Sequence, residues 1–138
     1  MRRLLLLAAL PVAIMACGSD SDNTPTIVSL AGTWNLSTAN GTALPFTISP
    51  GPPKIELLSA SVVVGSTGAF TGTEQIRTTV GTTPTTTTSN ISGTITASGT
   101  LVTVVITGSG TVTGTLTGTT QFSYVDPTTG ATFVFLKQ

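Results

Sequence analysis

From Ile27 to the C-terminus, hydrophobic positions recur at every second residue in short runs. No stretch after Ile14 shows the period of an amphipathic helix. Between 110 and 117, Val112, Gly114 and Leu116 fall on one face, and Thr111, Thr113, Thr115 and Thr117 fall on the other. Ile91, Gly93, Ile95 and Ala97 repeat the scheme against Ser92, Thr94 and Thr96. Period two with one apolar face marks a strand with one dry and one wet side.

Turn residues cut this pattern at regular intervals. Asn40-Gly41 is the strongest hairpin signal, because a type I′ turn needs positive φ at both central residues. Pro50-Gly51-Pro52-Pro53 reads as a rigid loop, and Gly65 to Gly68, Ser98-Gly99, Gly108-Ser109-Gly110 and Asp126 to Gly130 are further breaks. Strands are expected near 31–39, 44–49, 55–64, 69–80, 90–97, 100–107, 110–117, 119–125 and 131–137. Gly81 to Ser89, a Thr run around Pro84, is expected to be a mobile exposed loop.

Short connections between such strands imply an antiparallel meander. A single open sheet of this size would leave unpaired edges that recruit other chains, and closure removes them. The expected fold is therefore all-β: a single antiparallel up-and-down barrel of about eight to nine short strands, with a two-sheet β-sandwich as the alternative. Gly72, Gly93 and Gly114 fall in phase with the apolar positions. Either large neighbours fill the space beside them, as in a tapering barrel, or a cavity remains.

The N-terminus has another grammar. Met1-Arg2-Arg3 is a positive start, and Leu4 to Ile14 is an apolar stretch interrupted by Pro11, too short for a membrane span. Ile14-Met15-Ala16-Cys17 follows, with Gly18 and a polar Ser/Asp-rich segment behind it. This arrangement resembles the lipobox of bacterial lipoproteins. The resemblance implies cleavage before Cys17, a diacylglycerol thioether on its sulfur and usually N-acylation by a palmitate-type chain. Each buried methylene contributes about 0.8 kcal/mol, so two or more chains anchor stably. The other reading is an ordinary cleaved signal with a chance or buried Cys. The organisation is then 1–16 signal peptide, 17–26 lipidated Cys and flexible tether, and 27–138 all-β domain. The expected location is the cell envelope, and the same resemblance implies, from Gly18 after the Cys, the outer membrane if the host is Gram-negative.

Composition fits that location. Only 7% of residues are charged, so hydroxyls and amides supply the surface polarity. Once the signal is removed, Lys54, Arg77 and Lys137 stand against Asp20, Asp22, Glu56, Glu74 and Asp126. That balance gives no basic stripe for nucleic acid and no basic patch for anionic lipid. The single Cys allows no internal disulfide. The sequence leaves the oligomeric state open.

At the start of the domain the residues read Leu30-Ala31-Gly32-Thr33-Trp34-Asn35-Leu36. Gly-x-Trp opening the first strand resembles the lipocalin family and the lipocalin-like domains of bacterial lipoproteins. The resemblance implies that Trp34 packs across the closed end of a barrel, with Lys137 from the last strand as its basic partner. Phe133 to Gln138 has the pattern of a closing strand. The domain is shorter than a typical lipocalin and lacks the usual flanking helix, so ligand identity does not carry over. Trp34 is a candidate ligand-binding residue, and the plainer reading makes it a core aromatic with no binding role.

Catalytic chemistry finds little support. The chain has no His, which removes the commonest general base and metal ligand, and lipidation of Cys17 would remove the only thiol. No phosphate-binding loop, dinucleotide fingerprint or calcium loop is present. The expectation is a non-catalytic protein with no metal and no cofactor. A carboxylate pair, Glu56 and Glu74, is the one remaining catalytic arrangement. Counting by twos, Glu74 shares a face with Phe70 and Ile76, and Arg77 falls with Thr73, Gln75 and Thr79. A regular strand would aim Glu74 inward, at a cost for an unpaired charge. The favoured expectation is a β-bulge near Gly72 that turns Glu74 outward. The alternative is a polar handle inside a ligand cavity. Two functional classes follow: a lipid-anchored barrel that binds a small apolar or amphipathic molecule, or a structural or adhesive envelope protein acting through its Thr-rich outer face.

Overall fold

The computed structural model describes residues 26–138. The expected signal peptide, Cys17 and most of the expected tether lie outside the described residues. Ten strands follow in chain order: β1 (Gly32–Ala39), β2 (Thr42–Ala43), β3 (Phe46–Ser49), β4 (Lys54–Val64), β5 (Ala69–Val80), β6 (Thr83–Ser98), β7 (Leu101–Ile106), β8 (Gly110–Thr117), β9 (Gln121–Val125) and β10 (Thr132–Lys137). Every pairing is antiparallel, and from β4 to β10 each strand pairs with the next in sequence. β1 pairs with β10 on one side and β4 on the other, which closes the ring. The fold is thus an eight-stranded barrel, and the sandwich alternative is excluded. β2 and β3 are short additions on β1 and β4.

The turn chemistry works as the residue types dictate. Asn40 and Gly41 adopt φ of 51° and 73°, and the Asn-Gly pair reverses β1 into β2. The apolar face of each strand lines the interior, where Trp34, Leu36, Val62, Val64, Phe70, Ile95, Val102, Val104, Leu116, Phe122, Phe133 and Phe135 are buried. Thr111, Thr113, Thr115 and Thr117 face solvent.

One end of the barrel is stoppered. Residues 26–31 cross it, held by an Ile27–Ser98 bridge and by bonds from the Val28 amide to the Ala97 carbonyl and from the Gly99 amide to the Thr26 carbonyl. Leu30 is buried beneath them. Trp34 is fully buried at this end, and its indole N–H donates to the Leu30 carbonyl at 2.7 Å. Lys137, opposite Trp34 across the β1–β10 pairing, places its Nζ 5.5 Å from the ring centroid. Gly32 is what permits this: its φ is 134°, and a Cβ there would sit 2.7 Å from Lys137 Cε.

Two expectations need correction. Gly81 to Ser89 is not a loop. Val80 pairs with Thr83 across a two-residue turn, and the ladder runs unbroken from Thr83 to Thr94. Thr is a good strand former, and exposure on both faces does not prevent pairing with β5. Pro84 lies at the second position of β6, opposite Thr79, where a two-residue hairpin directs its nitrogen away from β5. The bulge expected near Gly72 is also absent. The β5–β6 register is regular there, and the slip lies on β4 between Leu57 and Ser59. That slip lets Leu57 and Ala60 both be buried, and it leaves Glu74 aimed inward.

Candidate functional site: the open mouth of the barrel

The interior is filled asymmetrically. Six aromatic rings form a continuous column from the stoppered end to the open one. Trp34 meets Phe122 at 5.0 Å, Phe122 stacks on Phe135 at 4.9 Å, and Phe135 meets Tyr124 at 6.1 Å. Tyr124 and Phe133 meet edge-on at 5.8 Å, and Phe133 meets Phe46 of β3 at 6.3 Å. Offset and edge-on contacts of this kind add roughly 0.5–1.5 kcal/mol each beyond simple burial.

Glycines let neighbouring chains close on this column. A Cβ on Gly93 would collide with the Val105 carbonyl and stand 3.0 Å from the Phe70 ring. On Gly114 it would collide with the Ser123 carbonyl and lie 2.9 Å from Tyr124 Cβ. Neighbours therefore fill most of the space these glycines leave. What survives is an apolar void of about 40 Å³ at mid-barrel and a cavity of about 210 Å³ at the open end. Ile91, Ile106, Tyr124 and Phe135 border both.

The walls of the mouth cavity are largely apolar, formed by Leu36, Leu57, Ala60, Ile91, Ile106, Val112, Phe133 and Phe135. Its polar groups are few: Glu74 from β5, Tyr124 from β9, and Ser109, Asp126 and Thr128 from the rim loops. Asp126 Oδ2 accepts bonds from the Thr129 amide at 2.8 Å and the Thr129 hydroxyl at 2.7 Å, which shape the β9–β10 turn. Neither the Glu74 carboxylate nor the Tyr124 hydroxyl bonds to any other side chain or backbone group among the described residues. Burial first, then the nearby negative charges of Asp126 and Glu74, together push the Tyr124 phenol up to about 12. Such a mouth can hold a small apolar body and offer its polar end a carboxylate and a hydroxyl.

The candidate residues read from sequence are separated. Trp34 lies at the stoppered end and does not border the mouth cavity, whereas Glu74 does. Glu56 and Glu74 are not brought together. Glu56 is on the outer side of β4, bonded by Lys54 Nζ at 2.8 Å, Arg77 Nη2 at 2.8 Å and Arg77 Nε at 2.9 Å. These partners, Lys54 foremost, hold its carboxyl below the usual value of 4.5. Tyr124 and Asp126 escaped the sequence reading. Tyr124 had a usable signal, since it alternates in phase with Phe122, but Asp126 reads only as a turn residue.

A larger hollow of about 490 Å³ lies on the outer face of β4–β6, bordered by Ser61, Val63, Thr71 and Asn90. It is shallow, and no charged group borders it, so the mouth is the better candidate. Comparison with family models, curated proteins and solved structures finds no match to this chain.

Proposed function

We propose that this protein is a non-catalytic envelope lipoprotein, anchored through Cys17, whose barrel mouth holds a small apolar or amphipathic molecule. The observation that carries the reading is the mouth cavity itself, with its apolar walls and two unpartnered polar groups. Its volume exceeds the roughly 150 Å³ of an apolar cavity that holds benzene, which sets the ligand's buried part at a small ring or short chain. The anchor is supported by the lipobox grammar of Ile14 to Cys17. Residues 26–31 lie on the stoppered end, so a tether from Cys17 brings that end toward the membrane and turns the mouth away from it.

Two measurements test the two halves. The intact mass of the mature protein is expected to carry acyl chains that Cys17→Ser loses, and an unmodified Cys17 would contradict the anchor. Benzene is expected to raise the melting temperature of the natural protein but not of Ala60→Phe, whose ring would occupy the mouth. Equal responses would contradict the cavity. The structural reading has one observation in its favour, the unpaired outer edge of β6 from Thr83 to Ile91, which β7 does not reach. Self-association that Thr87→Lys abolishes would favour that reading.

A further inference from the structure

The charges of the barrel are distributed unevenly about the mouth. Residues 26–138 contain three cationic side chains, and none of them borders the mouth cavity. Lys54 and Arg77 are bound to Glu56 on the outer face of the wall. Lys137 lies at the stoppered end, over Trp34. Of the three carboxylates, Glu56 takes two of the cations, and the other two, Glu74 and Asp126, both border the mouth cavity. The cavity thus holds two negative charges with no positive side chain to answer them, beside a phenol that can donate or accept.

The walls decide what kind of cation fits. A hydrated metal ion needs several converging oxygens, and no group of three or more metal-binding side chains exists among the described residues. The cavity is instead lined by aliphatic chains and by Phe133 and Phe135, with Glu74 on the inner wall and Asp126 at the rim. Its electrostatics oppose an anionic headgroup, such as that of a fatty acid.

We propose that the mouth selects a small cationic amphiphile: a primary or secondary ammonium group on a short hydrocarbon body. The ammonium donates to the Glu74 carboxylate and to the free side of Asp126, the Tyr124 hydroxyl accepts from it, and the hydrocarbon lies along Phe133, Phe135 and Ile106. This assignment rests on the reading of the mouth as a ligand cavity and adds the sign of the ligand's charge.

The chain's single tyrosine makes the test direct. The full chain, in lipid nanodiscs and with its tyrosine ring labelled with carbon-13, is titrated at neutral pH with hexylamine, hexanol and hexanoate. The Trp34 indole signal serves as the remote control. Hexylamine is expected to shift the Tyr124 resonances saturably and to bind about tenfold more tightly than hexanol, the worth of one charge-assisted hydrogen bond. Hexanoate is expected to bind more weakly than either. Glu74→Gln is expected to bring hexylamine down toward hexanol while leaving the melting temperature nearly unchanged. Hexanol or hexanoate binding as well as hexylamine would overturn the charge assignment and leave the ligand cavity standing. No shift with any of the three would overturn both. The comparison among ligands needs no variant, so a poorly folded Glu74→Gln would not disable the test.

Discussion

Tyr124 is a good place to interrogate the barrel because its phenol titrates without overlap from any other tyrosine. Its pKa is raised to about 12, so the neutral phenol contributes stability that is complete below the ordinary value of about 10 and is lost as pH rises through 12. Absorbance titration near the phenolate band should place the midpoint close to 12. Asp126→Asn should lower it more than Glu74→Gln, following the order of the two charges. A midpoint at the ordinary value would remove Tyr124 from the interior. Gly93 gives a second residue-scale test. Its missing side chain makes room for the Val105 carbonyl, which cannot move without shifting β7, so Gly93→Ala should cost about 1–3 kcal/mol by denaturant unfolding. Gly51→Ala, with open space around it, should be near neutral. The inward direction of Glu74 was legible from simple alternation. The bulge expected at Gly72 belongs instead to β4, where Leu57-Leu58 breaks the alternation that Ala60, Val62 and Val64 set up.

Among the elements, β8 could be read from sequence almost to the residue because its two faces differ in polarity. The first half of β6 could not. Thr83 to Thr88 are exposed on both faces, so no hydrophobic period marks them, and only the β-propensity of Thr argued for a strand. Because β7 pairs only with Gly93 to Ser98, this half of β6 is held from one side. Amide exchange should therefore alternate along Thr85 to Ile91, with every second N–H protected by β5 and the others open. Uniform fast exchange would restore the loop. Near the turn of this hairpin, the Lys54–Glu56–Arg77 cluster joins β4 to β5. Glu56 has a lowered pKa, so its stabilising contribution is complete above 4.5 and is lost as pH falls through the folded-state value. Glu56→Gln should be less stable than the natural protein at neutral pH, and the two should converge in acid. A constant difference across that range would assign the effect to packing.

At the scale of the whole molecule, the barrel has two unlike ends. The stoppered end collects the incoming chain, Trp34 and Lys137, and the open end collects Glu74, Tyr124 and Asp126. Gly-x-Trp foretold the first end, because the motif is local and Lys137 lies on a terminal strand directly opposite. The second depends on curvature. Glu74 and Tyr124 are fifty residues apart, and nothing along the chain shows that they border the same cavity until the ring closes. Native mass spectrometry of the intact protein, isolated from its natural host without denaturation, tests the central claim most directly. The account predicts a bound small molecule that is retained by the natural protein and absent from Ala60→Phe. A bare protein mass in both would contradict it.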